Sequence, residues 1–247
     1  MIPLKSEKDL EYLRASGKIL SWVMKETAKI IKPGITTNEI NRFAESLIRE
    51  KMAQAAFKGY KGFPAAACVS VNEEIVHGIP SERKLREGDI VSIDLGVKYR
   101  GYFSDAAVTL PVGNVDVKRN KLMEVAKKSL ELGIKEALPG KHLSDISHSI
   151  QSYVESNGFS VVREFVGHGI GFNLHEEPEI PNFGTPNEGP VLKEGMVLAI
   201  EPMINMGLWE AEISGNGWTA VTKDKLPSAH FEHTVAITKE GPEILTA

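Results

Sequence analysis

The sequence predicts a mixed α/β (α+β) protein of two related halves, each with two helices and a sheet segment. Three observations predict it. Apolar residues recur at helical spacing in four stretches, which pair off around two Pro-Gly breaks. Residues 90–109 read as a strand, a tight loop and a second strand. Two sets of residues also repeat at nearly one offset, 106 or 107 positions.

Ser6 with Asp9 caps the first helix, whose apolar face runs through Leu10, Leu13, Gly17, Leu20, Met24 and Ile31. Pro33-Gly34 ends it. Thr36-x-x-Glu39 is a capping box that opens a second helix on Ile40, Phe43, Leu47 and Ile48. Residues 65–71 read as a strand and 72–86 as a loop. Asp116 caps a third helix (Leu122, Val125, Ala126, Ser129, Leu132), which stops at Pro139-Gly140. Ser144 caps a fourth (Ile146, Ile150, Tyr153, Val154), ending near Asn157-Gly158. The apolar runs 161–166, 196–204, 217–222 and 231–238 read as strands, and 176–190 as a Pro/Gly/Asn-rich loop.

The order of elements repeats. Each Pro-Gly pair separates a long helix from a capped one. KLREGDIVSID at 84–94 and VLKEGMVLAIE at 191–201 match at Leu85/Leu192, Glu87/Glu194, Gly88/Gly195 and Ile93/Ile200. They also match in their closing acids, Asp94 and Glu201. The chain is therefore read as a single domain, 1–247, with halves at approximately 6–112 and 116–240. Related halves place Asp94 and Glu201 at equivalent strand positions, able to face each other across a pseudo-twofold axis.

Composition excludes several functions. The 247 residues are 42% hydrophobic and 25% charged, which suits a protein with a sizeable core. A net charge of −4 without a basic run argues against binding nucleic acid through its phosphates. The single cysteine, Cys68, cannot form an intramolecular disulfide and fits a reducing compartment. The charged start MIPLKSEKDLEYLR lacks the apolar core of a signal peptide, and no apolar run reaches a membrane span's ~18 residues. Cytoplasmic location is the expectation.

The chemistry centres on the hairpin. With Lys98 and Gly101 flanking a two-residue loop, Asp94 and Asp105 fall opposite each other on one face of an apolar ribbon. Two carboxylates so close share a proton or bind a cation. The second half supplies more polar groups in strand-like settings: His168 in Gly167-His168-Gly169, Glu201 closing an apolar run, and Glu232 in HFEHTVAIT. Four carboxylates carry a charge that two divalent cations balance. With one imidazole they make the usual ligand set of a two-metal hydrolytic centre.

In order and spacing, Asp94, Asp105, His168, Glu201 and Glu232 resemble the ligands of methionine aminopeptidases. NEEIVHGIP, GDIVSIDLGV, GHGIG, HEEP, EGMVLAIEPM and FEHTVAIT resemble the type I bacterial form, across essentially the whole chain. The short interval between His168 and Glu201 leaves no room for the helical insertion of type II enzymes.

The resemblance implies a single catalytic domain with the pita-bread fold, two helices of each half lying on a curved antiparallel sheet. It implies removal of the initiator methionine from nascent proteins and peptides with a small second residue. Two divalent ions (Co, Mn, Fe, Ni or Zn) would be held by Asp94 on one, His168 on the other, Asp105 and Glu232 between them, and Glu201, which also shuttles the proton. His77 would contact the scissile amide nitrogen and His175 the developing oxyanion. Phe57, Tyr60, Phe63, Cys68 and Trp218 would line the methionine pocket. Two departures bear on its shape: Phe57 stands where close bacterial relatives often have a smaller residue, and Leu174 replaces an aromatic. A monovalent ion, Na or K, is implied near Asn72, Glu74 and Ser228. The family also implies a monomer that works on emerging chains at the ribosome, without direct nucleic-acid or membrane contact. Two other readings compete with this one: a proline-directed aminopeptidase or prolidase-like enzyme, and an inactive binding module on the same fold.

Overall fold

In the computed structural model, which describes all 247 residues, local sequence signals set where the helices start. The helices are α1 (Glu7–Ala28), α2 (Thr37–Glu50), α3 (Val117–Glu136) and α4 (Leu143–Ser156). Ser6 and Asp9 form a reciprocal capping box, as do Thr36 and Glu39, and the Asp116 side chain accepts the Arg119 N–H. The fourth helix starts earlier than expected. His142 is its N-cap residue and Asp145 accepts the His142 N–H at 2.9 Å, so Ser144 lies inside the first turn.

The strands are β1 (Gln54–Ala55), β2 (Ala67–Val71), β3 (Glu74–Val76), β4 (Ile90–Tyr99), β5 (Tyr102–Pro111), β6 (Ser160–Val161), β7 (Gly167–Gly169) and β8 (Glu176–Ile180). They continue as β9 (Val197–Ile200), β10 (Met203–Asn205), β11 (Ala211–Ile213), β12 (Ala220–Thr222), β13 (Ser228–His230), β14 (Glu232–Thr238) and β15 (Gly241–Ile244). A nine-stranded sheet runs β1-β4-β5-β14-β9-β7-β8, with β2 also on β4 and β15 also on β14. Two three-stranded sheets, β13-β10-β6 and β11-β12-β3, flank it. Every pairing is antiparallel.

Five further sequence expectations need correction. The 72–86 loop contains β3, and the 176–190 loop contains β8. Both strands are short, and both pair with distant chain, β3 with β12 and β8 with β7. Of 161–166 only Val161 is in a strand, and 196–204 is broken at Glu201-Pro202, where proline has no N–H for the ladder. Hairpin register also differs. Tyr99 pairs with Tyr102 around Arg100-Gly101, whose φ values of 51° and 91° suit a two-residue turn with both central residues left-handed.

The helices pack as two pairs. Leu20 and Ile40 bury against Ile93 and Leu95 of β4. Leu122, Ile146 and Ile150 bury against Leu198 and Val235 of β9 and β14. A third cluster, including Leu10, Leu13, Leu174 and Ala199, lies between α1 and the strands carrying the polar residues. Matching hydrogen bonds join each helix pair to its sheet segment. Gly34 N–H reaches Leu85 O at 2.8 Å, and Gly140 N–H reaches Leu192 O at 2.9 Å.

Candidate active site

Strand register gathers the polar side chains. Asp94 pairs with Ala107, and Ala107 also pairs with Glu232, so the two acids flank one alanine across β4, β5 and β14. Asp105 lies two residues before Ala107, on the same face, and pairs with Gly96. Asp94 and Asp105 are therefore diagonal rather than opposite neighbours, because the turn is centred one residue later than expected. His168 pairs with Ala199, which pairs with Thr234, and Glu201 follows Ala199 by two. Ala107 and Ala199 keep the middle of this face low, so five longer side chains converge above it. The Thr234 hydroxyl locks the centre: it accepts the Asp105 N–H at 2.9 Å and donates to Asp105 O at 2.7 Å.

The convergence is tight. One ligand atom each from Asp105, His168 and Glu232 lies within 4.8 Å of the others, all three residues being buried. His168 Nε2 is 3.5 Å from Glu201 Oε1 and 4.0 Å from Asp105 Oδ2. Buried oxygens of Asp94 (Oδ1), Asp105 (Oδ1) and Glu232 (Oε1) have no hydrogen-bond partner. Burial pushes all four carboxyls up, Asp94 and Glu201 to about 7, and Asp105 and Glu232 well above the usual carboxylate range; repulsion from neighbouring carboxylates adds to it at Asp94, Asp105 and Glu232. His168 Nδ1 lies 2.9 Å from Gly169 O. As the donor there, it leaves the Nε2 lone pair facing the carboxylates, the usual arrangement of a metal-ligating imidazole. Unpartnered carboxylate oxygens and a presented imidazole lone pair fit divalent cations.

A cavity of about 280 Å³ opens beside these residues. Phe57, Tyr60, Phe63, Cys68, Leu174 and Trp218 line this cavity. Phe57 is seated because Gly96 has no side chain; a Cβ there would lie 2.6 Å from Phe57 Cε1. The Cys68 thiol is pushed well up, first by burial and then by the Asp94 charge, so it is an apolar wall.

His77 and His175 also line the cavity. Burial lowers His77 to about 4, and its ring meets Phe165 edge-on at 5.7 Å. Its φ of 58° places it on a tight bend directly after β3. Desolvation of the ring between Tyr60 and His168 lowers His175 to about 3, although the residue as a whole is exposed, and the charge of His168, whose ring centroid is 4.1 Å away, adds to it. The His175 ring stacks on Tyr60 at 5.1 Å, and its Nδ1 is 3.0 Å from the Tyr60 hydroxyl. Of the expected monovalent-ion residues, Asn72 and Ser228 meet, the Ser228 N–H reaching Asn72 O at 2.8 Å. The Glu74 carboxylate instead accepts the Val71 N–H and pairs with Arg83.

Sequence reasoning missed Lys61, Val76, Glu164, Phe165 and Val166 in the cavity wall. It also missed His230, which is 1% exposed with Nε2 3.5 Å from Glu201 Oε2. The one signal was its place in the motif HFEH, two residues before Glu232.

The model of metallopeptidase family M24 matches residues 11–239. Methionine aminopeptidase 1 of Bacillus subtilis is 53% identical over 246 residues, covering 100% of this chain and 99% of that protein. The methionine aminopeptidase structure from Rickettsia prowazekii superposes with a TM-score of 0.99 at 42% identity, covering 100% of both chains. A prolidase structure from Pyrococcus horikoshii gives 0.79 at 25% identity, and this chain spans only 63% of it. The fold is the expected pita-bread α/β fold. Identity of this extent over the whole chain, with the family model matched from residue 11 to 239, shows that the chain belongs to the methionine aminopeptidases of metallopeptidase family M24.

Proposed function

We propose that this metallo-aminopeptidase removes the N-terminal methionine from nascent proteins and peptides whose second residue is small. The observation that carries the proposal is the apolar cavity, of side-chain size, opening directly beside the cluster of acids and His168. Asp94, Asp105, His168, Glu201 and Glu232 would hold two divalent ions. When bound, those ions supply Lewis acidity and make water nucleophilic near neutral pH.

The chain's own residues do the rest. The methionine side chain enters the cavity between Tyr60, Phe63, Leu174 and Trp218, which favour an unbranched, polarizable thioether. Glu201 takes the proton from the attacking water and returns it to the leaving amine. With the Tyr60 O–H donating to His175 Nδ1, the remaining ring proton sits on Nε2. Held neutral by burial, that Nε2–H is a fixed donor to the charge developing on the carbonyl oxygen. His77 contacts the scissile nitrogen. Phe57 and Cys68 complete the wall of that cavity.

Cobalt, manganese, iron, nickel and zinc all suit an oxygen-rich site with one nitrogen. The meeting of Asn72 and Ser228 supports a sodium or potassium ion there. The matched Gly34/Leu85 and Gly140/Leu192 bonds support one domain built of halves 6–112 and 116–240. A monomer acting in the cytoplasm at the ribosome completes the reading; no helix is long and apolar enough to cross a membrane.

Incubating metal-loaded protein with Met-Ala-Ser and with Xaa-Pro peptides tests the proposal. Release of methionine, abolished by chelation and restored by Mn²⁺, Fe²⁺ or Co²⁺, is expected; preferential Xaa-Pro cleavage would favour the proline-directed reading.

A further inference from the structure

His230 is fixed in place yet lies outside the substrate cavity. Its N–H reaches Thr109 Oγ1 at 2.8 Å, and the same hydroxyl is 2.9 Å from His230 O. Thr109 is in turn 2.8 Å from Ser92 Oγ, so the hairpin bearing Asp94 and Asp105 also grips His230. On its other side, β13 pairs His230 with Met203, two residues beyond Glu201. Its backbone is thus tied to the hairpin that carries Asp94 and Asp105 and to the strand that follows Glu201. Its ring nitrogen Nε2 is buried, has no hydrogen-bond partner, and is 3.5 Å from Glu201 Oε2. The other oxygen of Glu201, Oε1, faces His168 Nε2 at the same separation. One carboxylate therefore stands between two imidazoles.

We infer that His230 is a positioning residue for Glu201, donating its Nε2–H to Glu201 Oε2 and leaving Oε1 to act in the centre. The inference rests on the proposed reaction, in which Glu201 moves the proton. A separation of 3.5 Å is long for a hydrogen bond, and contacts of this kind shorten when a catalytic site is filled. His230 does not line the cavity, so it touches no substrate. Its effect belongs on turnover rather than on binding. Partners behind a metal ligand of this type change activity by about 10- to 100-fold when removed.

The test uses full-length, metal-loaded protein and Met-Ala-Ser. His230→Leu removes the donor, whereas His230→Gln restores one of similar reach. The expected result is a kcat about 10-fold or more lower for the Leu variant with KM little changed, and a Gln variant close to wild type. The visible spectrum of the cobalt-loaded protein should be the same for wild type and both variants. A changed spectrum would make His230 a ligand and overturn the inference, as would a Leu variant of unaltered kcat or a Gln variant no better than Leu. Nitrogen NMR of the wild-type imidazole, which needs no variant to fold, should show the proton on Nε2; a proton on Nδ1 overturns the inference too. Wild-type protein that leaves Met-Ala-Ser intact would strike the proposed reaction instead.

Discussion

Lys5 and Glu176, 171 residues apart, form an ion pair whose side chains are 1% and 3% exposed. Lys5 is held by its own N–H on Gly195 O at 2.7 Å, and its ammonium also lies 5.2 Å from the centre of the Phe172 ring. The second oxygen of Glu176 accepts the Asn173 N–H at 2.8 Å. The pair therefore clamps the 171–176 turn, which presents Leu174 and His175 to the cavity. Lys5→Met alone leaves a buried carboxylate unpaired and should cost about 3–5 kcal/mol of stability. Lys5→Met with Glu176→Leu should recover most of that in denaturant melts. A single variant as stable as wild type would mean that Glu176 finds another partner.

In metal-free protein the raised carboxyls should take stability away as pH climbs from about 4 to about 7. The folded state holds the carboxyls of Asp94 and Glu201 at about 7, and burial pushes those of Asp105 and Glu232 well above the usual carboxylate range. In the unfolded chain the same groups titrate near 4. Protonation therefore stabilises the fold at low pH, and that contribution disappears as pH climbs through the folded values. Divalent ions replace the protons, so Mn²⁺ should raise the melting temperature most at the alkaline end and bind more tightly there. Between about pH 4 and 6.5 the depressed histidines His77 and His233 act in the opposite sense, because burial disfavours their charged form. Melting curves at fixed salt, with and without Mn²⁺, measure both trends; an Mn²⁺ stabilisation that does not grow as pH rises contradicts this account.

What could be read from the sequence divides by range. Caps at Ser6, Thr36 and Asp116 are contacts three residues long, so residue identity sufficed. His142 is not a usual cap residue, and the fourth helix start was misplaced for that reason. The face shared by Asp94 and Asp105 follows from alternation, which survives a shift of register by two. Strands such as Glu74–Val76 and Glu176–Ile180 carry little apolar pattern and owe their form to remote partners. His230 was invisible for the same reason: its approach to Glu201 is made by the β10–β13 pairing.

His175→Ala should lower kcat for Met-Ala-Ser by about 10²–10³-fold, the usual effect of deleting a donor to a developing oxyanion. Tyr60→Phe keeps the stacked ring but removes the hydroxyl at 3.0 Å, so the proton is no longer steered to Nε2. Its loss should be smaller and of the same kind, in kcat more than KM. Steady-state kinetics decide; a Tyr60→Phe defect confined to KM would reduce Tyr60 to pocket wall.

Gly96→Ala tests how the methionine pocket is shaped. The new methyl would lie 2.6 Å from Phe57 Cε1 and 2.9 Å from Ala56 Cβ, both closer than packed carbons allow. Phe57 is 8% exposed and packs with Leu10 and Leu13, so its ring can yield only toward the cavity. A narrower cavity should raise KM for methionine peptides while leaving kcat, set by Glu201 and His175, within a few-fold. Phe57→Ala in the Gly96→Ala background removes the tighter collision, leaving only that with Ala56, and should bring KM back down. If Gly96→Ala leaves KM untouched, the Phe57 ring does not bound the methionine side chain.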